Sequence, residues 1–141
     1  GDCGLPEPSP ATLKELVGLD TARMLDANPD VIELARDLRR GGTRLGIVSN
    51  APYSVSRSIK ESEWGSCFDF FVFSCDYGVC KPQRGIYRDA LVQSGSNVHD
   101  VVFVDDRKVN VRAAELMGMG GILWTNPLDA RQRLREFGYL L

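Results

Sequence analysis

The sequence predicts an α/β fold, a doubly wound parallel sheet. Short apolar segments alternate with stretches that carry helical spacing of apolar residues. The strand candidates are apolar throughout, without a polar face, as expected where helices cover both sides of a sheet. Polar residues follow several of these strands directly, where open parallel sheets bind their ligands.

Residues 1–10 hold Pro6, Pro8 and Pro10 and little apolar content, an irregular lead-in. From Ala11 to Ala27, Leu13, Leu16, Val17, Leu19, Met24 and Leu25 suggest one or two short helical segments. A firmer helix follows, with Asn28 as N-cap, Pro29 in the first turn, Val31, Ile32, Leu34, Ala35 and Leu38 on one face, and Gly41-Gly42 as its stop. Leu45–Val48 is a buried strand ending at Ser49-Asn50. A polar helical stretch around Val55–Glu63 leads to a second strand, Phe70–Ser74. Lys81-Pro82 opens a loop, and Ile86, Tyr87, Ala90 and Leu91 mark the inner face of the next helix. Val101–Val104 is the third strand, ending at Asp105-Asp106. Val109, Val111, Ala114, Leu116 and Met117 mark a helix that stops at Gly118. Gly121–Trp124 is the fourth strand, and Asn126-Pro127 starts a last helix carrying Ala130, Leu134 and Phe137.

The chain has 141 residues, 43% hydrophobic and 26% charged, enough for one domain with a core. A net charge of -2 gives no electrostatic reason to expect nucleic acid or an anionic membrane as partner. The longest apolar runs, Phe70–Phe73 and Val101–Val104, fall far short of a membrane span. The four cysteines, Cys3, Cys67, Cys75 and Cys80, form no CxxC pair, and His99 is the one histidine. Reduced thiols and a cytoplasmic location are the expectation. The chain opens on Gly1 instead of methionine, which points to a processed, trimmed or excised N-terminus.

Ser49-Asn50, Lys81 and Asp105-Asp106 would converge on one crevice. Hard carboxylate oxygens suit Mg²⁺, and a hydroxyl and an ammonium suit phosphoryl oxygens. Each has a plainer explanation alone: Ser-Asn as a helix cap, Lys-Pro as a solvated turn, Asp-Asp as a cap favoured by the next helix dipole. Together, in this order, they are harder to dismiss. Other residues carry less. No serine stands in a GxSxG elbow, Gly118, Gly120 and Gly121 precede a strand instead of following one, and Arg131, Arg133 and Arg135 read as the solvated side of the last helix. His99 is a loop residue, and Trp64 and Trp124 belong to the core or a cap contact.

Leu45–Ala51 (LGIVSNA), Gly78–Leu91 (GVCKPQRGIYRDAL) and Val101–Trp124 (VVFVDDRKVNVRAAELMGMGGILW) resemble the second, third and fourth signature motifs of haloacid-dehalogenase-type hydrolases, in the branch with a helical cap. The resemblance covers nearly everything from Asn28 onward. It implies a Rossmann-like core over 28–141, with 1–27 as lead-in and tail of the cap. By the same resemblance Ser49 would bind the transferring phosphoryl group with Asn50 beside it, and Lys81 would stabilise negative charge there. Asp105 and Asp106 would anchor Mg²⁺, directly or through water, and Asn110 resembles the asparagine that several members place after this pair in an orienting role. The doubled aspartate speaks against a metal-free dehalogenase and for a Mg²⁺-dependent phosphatase acting on a small phosphorylated metabolite.

The family's first motif, an apolar strand followed by Asp-x-Asp-x-Thr, supplies nucleophile and general acid, and it is absent. Around Asp20 the second aspartate is replaced by Ala22 and the threonine by Met24. The resemblance therefore implies a C-terminal part of such an enzyme, inactive alone and lacking the central first strand of its sheet. A longer parent, another chain, or residues 1–20 would have to fill that slot, since unpaired inner edges are costly. The alternative is a binding or structural module that keeps the fold without catalysis. A phosphoacceptor receiver domain has its acidic pair first and its lysine last, an order this chain reverses.

Overall fold

Strands without a polar face need cover on both sides, and the chain supplies it with helices. In the computed structural model, residues 15–17, 29–50, 57, 60–62 and 64–141 are described. Their strands are β1 (Glu15–Val17), β2 (Arg44–Ser49), β3 (Phe70–Phe73), β4 (Val101–Asp105) and β5 (Gly120–Leu123). All pair in parallel, in the order β3-β2-β1-β4-β5. The α-helices whose bounds fall within the described residues are α1 (Pro29–Arg40), α2 (Ser74–Tyr77), α3 (Arg84–Ser94), α4 (Lys108–Leu116) and α5 (Pro127–Glu136).

Strand alternation sorts the core into two layers. Leu45, Ile47, Val102 and Val104 pack on one face with Leu34, Ala35 and Leu38 of α1 and Ala130 and Leu134 of α5. Val48, Val101 and Phe103 pack on the other with Ile86, Tyr87 and Ala90 of α3 and Ala114 of α4. The local signals explain the helix ends. Asn126 accepts from the Asp129 amide at 2.8 Å ahead of Pro127, and Gly42 takes a φ of 92° just after α1.

The expected gap at the centre of the sheet is filled. β1 lies between β2 and β4, with Glu15, Leu16 and Val17 opposite Arg44, Leu45 and Gly46 on one side and Val101, Val102 and Phe103 on the other. An open slot would leave two rows of inner backbone groups unpaired, and these three residues satisfy part of both. The sheet therefore reaches back to Glu15, ahead of the core boundary expected at residue 28. The remaining residues of the proposed lead-in and cap tail, Asp20 among them, lie outside the described residues.

Two smaller differences concern exposure and length. Val109 and Leu116, among the apolar residues that mark α4, are 52% and 74% exposed, while Asn110, Val111 and Ala114 are buried. β3 stops at Phe73, and Ser74 begins the short α2. Of the helical stretch expected around Val55–Glu63, positions 57, 60 and 61 are described and helical.

The strand order fixes where a site can be. The chain leaves β1 for β2 and β3 on one side, then returns to β4 on the other side of β1. In open α/β sheets such a reversal marks where ligands bind, here at the carboxyl ends of the strands around β1. Among the described residues, the β1 ladder runs to Val17, opposite Gly46 and Phe103; β2 runs to Ser49 and β4 to Asp105.

Candidate active site

Asp105 is the last residue of β4 and is fully buried. A buried carboxylate needs donors on its oxygens. Lys81 Nζ donates to Oδ2 at 2.7 Å and Asn110 Nδ2 donates to the same oxygen at 3.2 Å. The Arg107 amide donates to Oδ1 at 2.8 Å, across the turn that leads into α4. The Lys81 and Asp105 side chains are 4% and 0% exposed, so the ion pair is shielded from water. The Lys81 ammonium also stands 5.8 Å from the centroid of the Phe103 ring.

Lys81 comes from the loop between α2 and α3, and Asn50 ties that loop to the end of β2. Asn50 Oδ1 accepts from the Lys81 amide at 2.6 Å, and Asn50 Nδ2 donates to the Lys81 carbonyl at 3.1 Å. Within the loop, the Cys80 amide donates to Gln83 Oε1 at 2.8 Å and the Gln83 amide to the Cys80 carbonyl at 2.7 Å. The Lys81–Pro82 peptide is cis. Ser49 precedes Asn50 as the last residue of β2 and is 2% exposed. Asp106, directly after β4, is half-buried.

The structure thus joins Asn50, Lys81, Asp105 and Asn110 in one hydrogen-bonded cluster, with Ser49 and Asp106 as chain neighbours of its members. The side-chain amide of Asn50, expected beside Ser49 on a phosphoryl group, makes its two hydrogen bonds to the Lys81 backbone.

Tyr87 is a member of the cluster that the sequence pattern placed only on the inner face of α3. Its hydroxyl donates to the Asn110 carbonyl at 2.9 Å, and its ring meets Phe103 edge-on at a centroid distance of 5.2 Å. Burial first, and the Asp105 charge second, push the Tyr87 phenol above its usual range. One sequence signal was available: a tyrosine on an inner helix face needs an acceptor for its hydroxyl.

The donor set can be tested against Mg²⁺. A carboxylate offers about four acceptor positions, and protein donors take three of those on Asp105. The remaining position lies on Oδ1, with the Asp106 carboxylate next in sequence. Among the described residues no three His, Cys, Asp or Glu side chains group as a metal cage. Two adjacent carboxylates fit Mg²⁺, which holds several waters and commonly shares itself with a phosphate.

A family model of haloacid dehalogenase-like hydrolases matches residues 7–118. A sesquiterpene phosphatase of Aspergillus oryzae is 30% identical over 118 residues, covering 82% of this chain and 60% of that protein. The bifunctional epoxide hydrolase 2 of Rattus norvegicus is 30% identical over 139 residues, 95% of this chain and 25% of that protein. The chain thus spans less than two thirds of the length of these relatives. Among solved structures, an uncharacterized protein from Corynebacterium glutamicum superposes with a TM-score of 0.74 at 25% identity, over 90% of this chain and 96% of the other.

Proposed function

The chain belongs to the haloacid dehalogenase-like hydrolases, and from that premise we propose that its cluster is the phosphoryl- and metal-holding part of a Mg²⁺-dependent phosphatase for small phosphorylated metabolites. The observation that carries the proposal is the shielded Lys81–Asp105 pair at the carboxyl edge of the sheet, 2.7 Å apart. Taking two charges out of water is expensive for a pair that serves stability alone. The similarity to a phosphatase points the same way.

Each residue has a task in that chemistry. The Ser49 hydroxyl donates to a phosphoryl oxygen. Lys81 spends one donor on Asp105 and offers the others to the negative charge that builds on the phosphoryl group. Asp105 and Asp106 hold Mg²⁺, which would offset charge on the phosphoryl oxygens when bound. Asn110 and the Arg107 amide fix the rotamer of Asp105, and Tyr87 fixes Asn110.

In this family a carboxylate of the first motif attacks phosphorus, and a second protonates the leaving group. These 141 residues contain no Asp-x-Asp-x-Thr. Alone, the chain binds phosphate without turning over an ester. The non-catalytic binding module remains the second assignment, and that same absence favours it.

Titration with inorganic phosphate and Mg²⁺, followed by amide NMR, tests the proposal. Shifts at Ser49, Lys81 and Asp106 are expected, together with no hydrolysis of an aryl phosphate above buffer. Absence of phosphate binding overturns the phosphatase assignment. Turnover that disappears in Asp20→Asn overturns the inactivity of the chain and makes Asp20 its nucleophile.

A further inference from the structure

We propose that Asn50 is a positioning residue: it clamps the Lys81 backbone so that the Lys81 ammonium is delivered onto Asp105. The role of Lys81 rests on the phosphatase assignment above, whereas the clamp itself is a matter of geometry.

A side-chain amide presents one acceptor and one donor side by side, the pattern a neighbouring strand would present to a peptide. Asn50 uses both on one residue, taking the Lys81 amide at 2.6 Å and giving to its carbonyl at 3.1 Å. Two contacts on the same residue fix the orientation of the peptide as well as its distance. No other residue type of this length carries both functions; aspartate lacks the donor, and leucine lacks both.

The clamp links segments that are far apart in sequence. Asn50 follows directly on β2, whose parallel pairing with β1 and β3 holds its frame. Lys81 lies in a loop whose own hydrogen bonds, between Cys80 and Gln83, close a turn without attaching it to the sheet. Lysine loses more rotamer freedom on ordering than most side chains. Fixing its backbone leaves only the side-chain torsions to be ordered by Asp105. Ser49 and Lys81 then stand in a constant relation, because consecutive residues hold one and anchor the other.

Asn50 is exposed, so its replacement removes little packing. The test is acetylation of lysines by a water-soluble active ester at fixed pH, read by peptide mass spectrometry. Lys60 and Lys108, both exposed, are the internal references. In the wild-type chain Lys81 should label at least tenfold more slowly than either. In Asn50→Ala and in the isosteric Asn50→Leu, Lys81 labelling should rise about tenfold while both references stay constant. Unchanged Lys81 labelling in the folded variants overturns the clamp. An equal rise at all three lysines signals general loosening and overturns it as well.

Inorganic phosphate with Mg²⁺, followed by phosphorus NMR, gives the second readout. Asn50→Leu should weaken phosphate binding by tenfold or more. Wild-type binding that persists undiminished in Asn50→Leu overturns the clamp's functional role. If the wild type binds no phosphate but Lys81 is unmasked by Asn50→Leu, the clamp stands and the phosphatase assignment falls.

Discussion

Lys81 and Asp105, 24 residues apart in sequence, meet at 2.7 Å with side chains 4% and 0% exposed. A surface ion pair of that length would contribute little, but here each charge would be stranded in the interior without the other.

The first prediction follows from that pairing. Lys81→Met or Asp105→Asn alone should cost about 3 kcal/mol of unfolding free energy, because each leaves an uncompensated buried charge. The double replacement should cost less than the sum of the two by at least about 1 kcal/mol. Urea denaturation of the four proteins measures the cycle, and strict additivity would mean that the two charges do not interact.

Mg²⁺ should raise thermal stability only slightly. With the ion near its dissociation constant the gain is about 0.4 kcal/mol, or about 1–2 °C for a chain of this size. Asp106→Asn should remove the shift. It is a cleaner variant than Asp105→Asn, which also strips Lys81 of its counter-ion. A thermal melt in which the shift survives Asp106→Asn would take Asp106 out of the metal site.

Tyr87 should make the fold sensitive to alkali. Burial, and then Asp105, raise its phenol above the ordinary tyrosine value of about 10. Below that ordinary value both states keep the proton, and the contribution to stability is complete. As pH rises past about 10 the unfolded chain releases its proton while the folded one retains it, so stability falls. Tyr87→Phe should lose about 1 kcal/mol at neutral pH, with the hydrogen bond to the Asn110 carbonyl. It should also show a shallower decline above pH 10. Parallel pH profiles for the two proteins would contradict the assignment.

Gly46→Ala should be destabilising although Gly46 has no positive φ. A Cβ at this position in β2 would fall inside the Phe70 ring of β3, which lies over the backbone there. Overpacking of this kind costs about 1–3 kcal/mol. Chemical denaturation reads it directly, and Phe70→Ala in the same background should recover part of the additional loss. Absence of any such coupling would locate the strain elsewhere.

Local patterns in the chain were enough for the fold class and most of the elements. Continuous apolar runs such as Val101–Val104 have no alternative to burial on both faces, and Asn126-Pro127 and Gly41-Gly42 punctuate their helices through local backbone chemistry. The position of Lys81 and Asp105 after successive strands was equally legible, because a parallel sheet sends every such position to one edge. Tertiary structure decided what local patterns cannot encode. Glu15–Val17 reads as part of a helical stretch and becomes the central strand because two neighbouring strands offer it unpaired backbone groups. Asn50 reads as a partner of Ser49, and nothing local tells that its side-chain amide also bonds the Lys81 backbone, 31 residues away. Tyr87 reads as an apolar contact, and its hydroxyl finds the Asn110 carbonyl only once α3 and α4 share a face of the sheet. In each case the deciding term is a hydrogen bond between segments distant in sequence, and such a bond depends on the packed geometry that brings its two ends together.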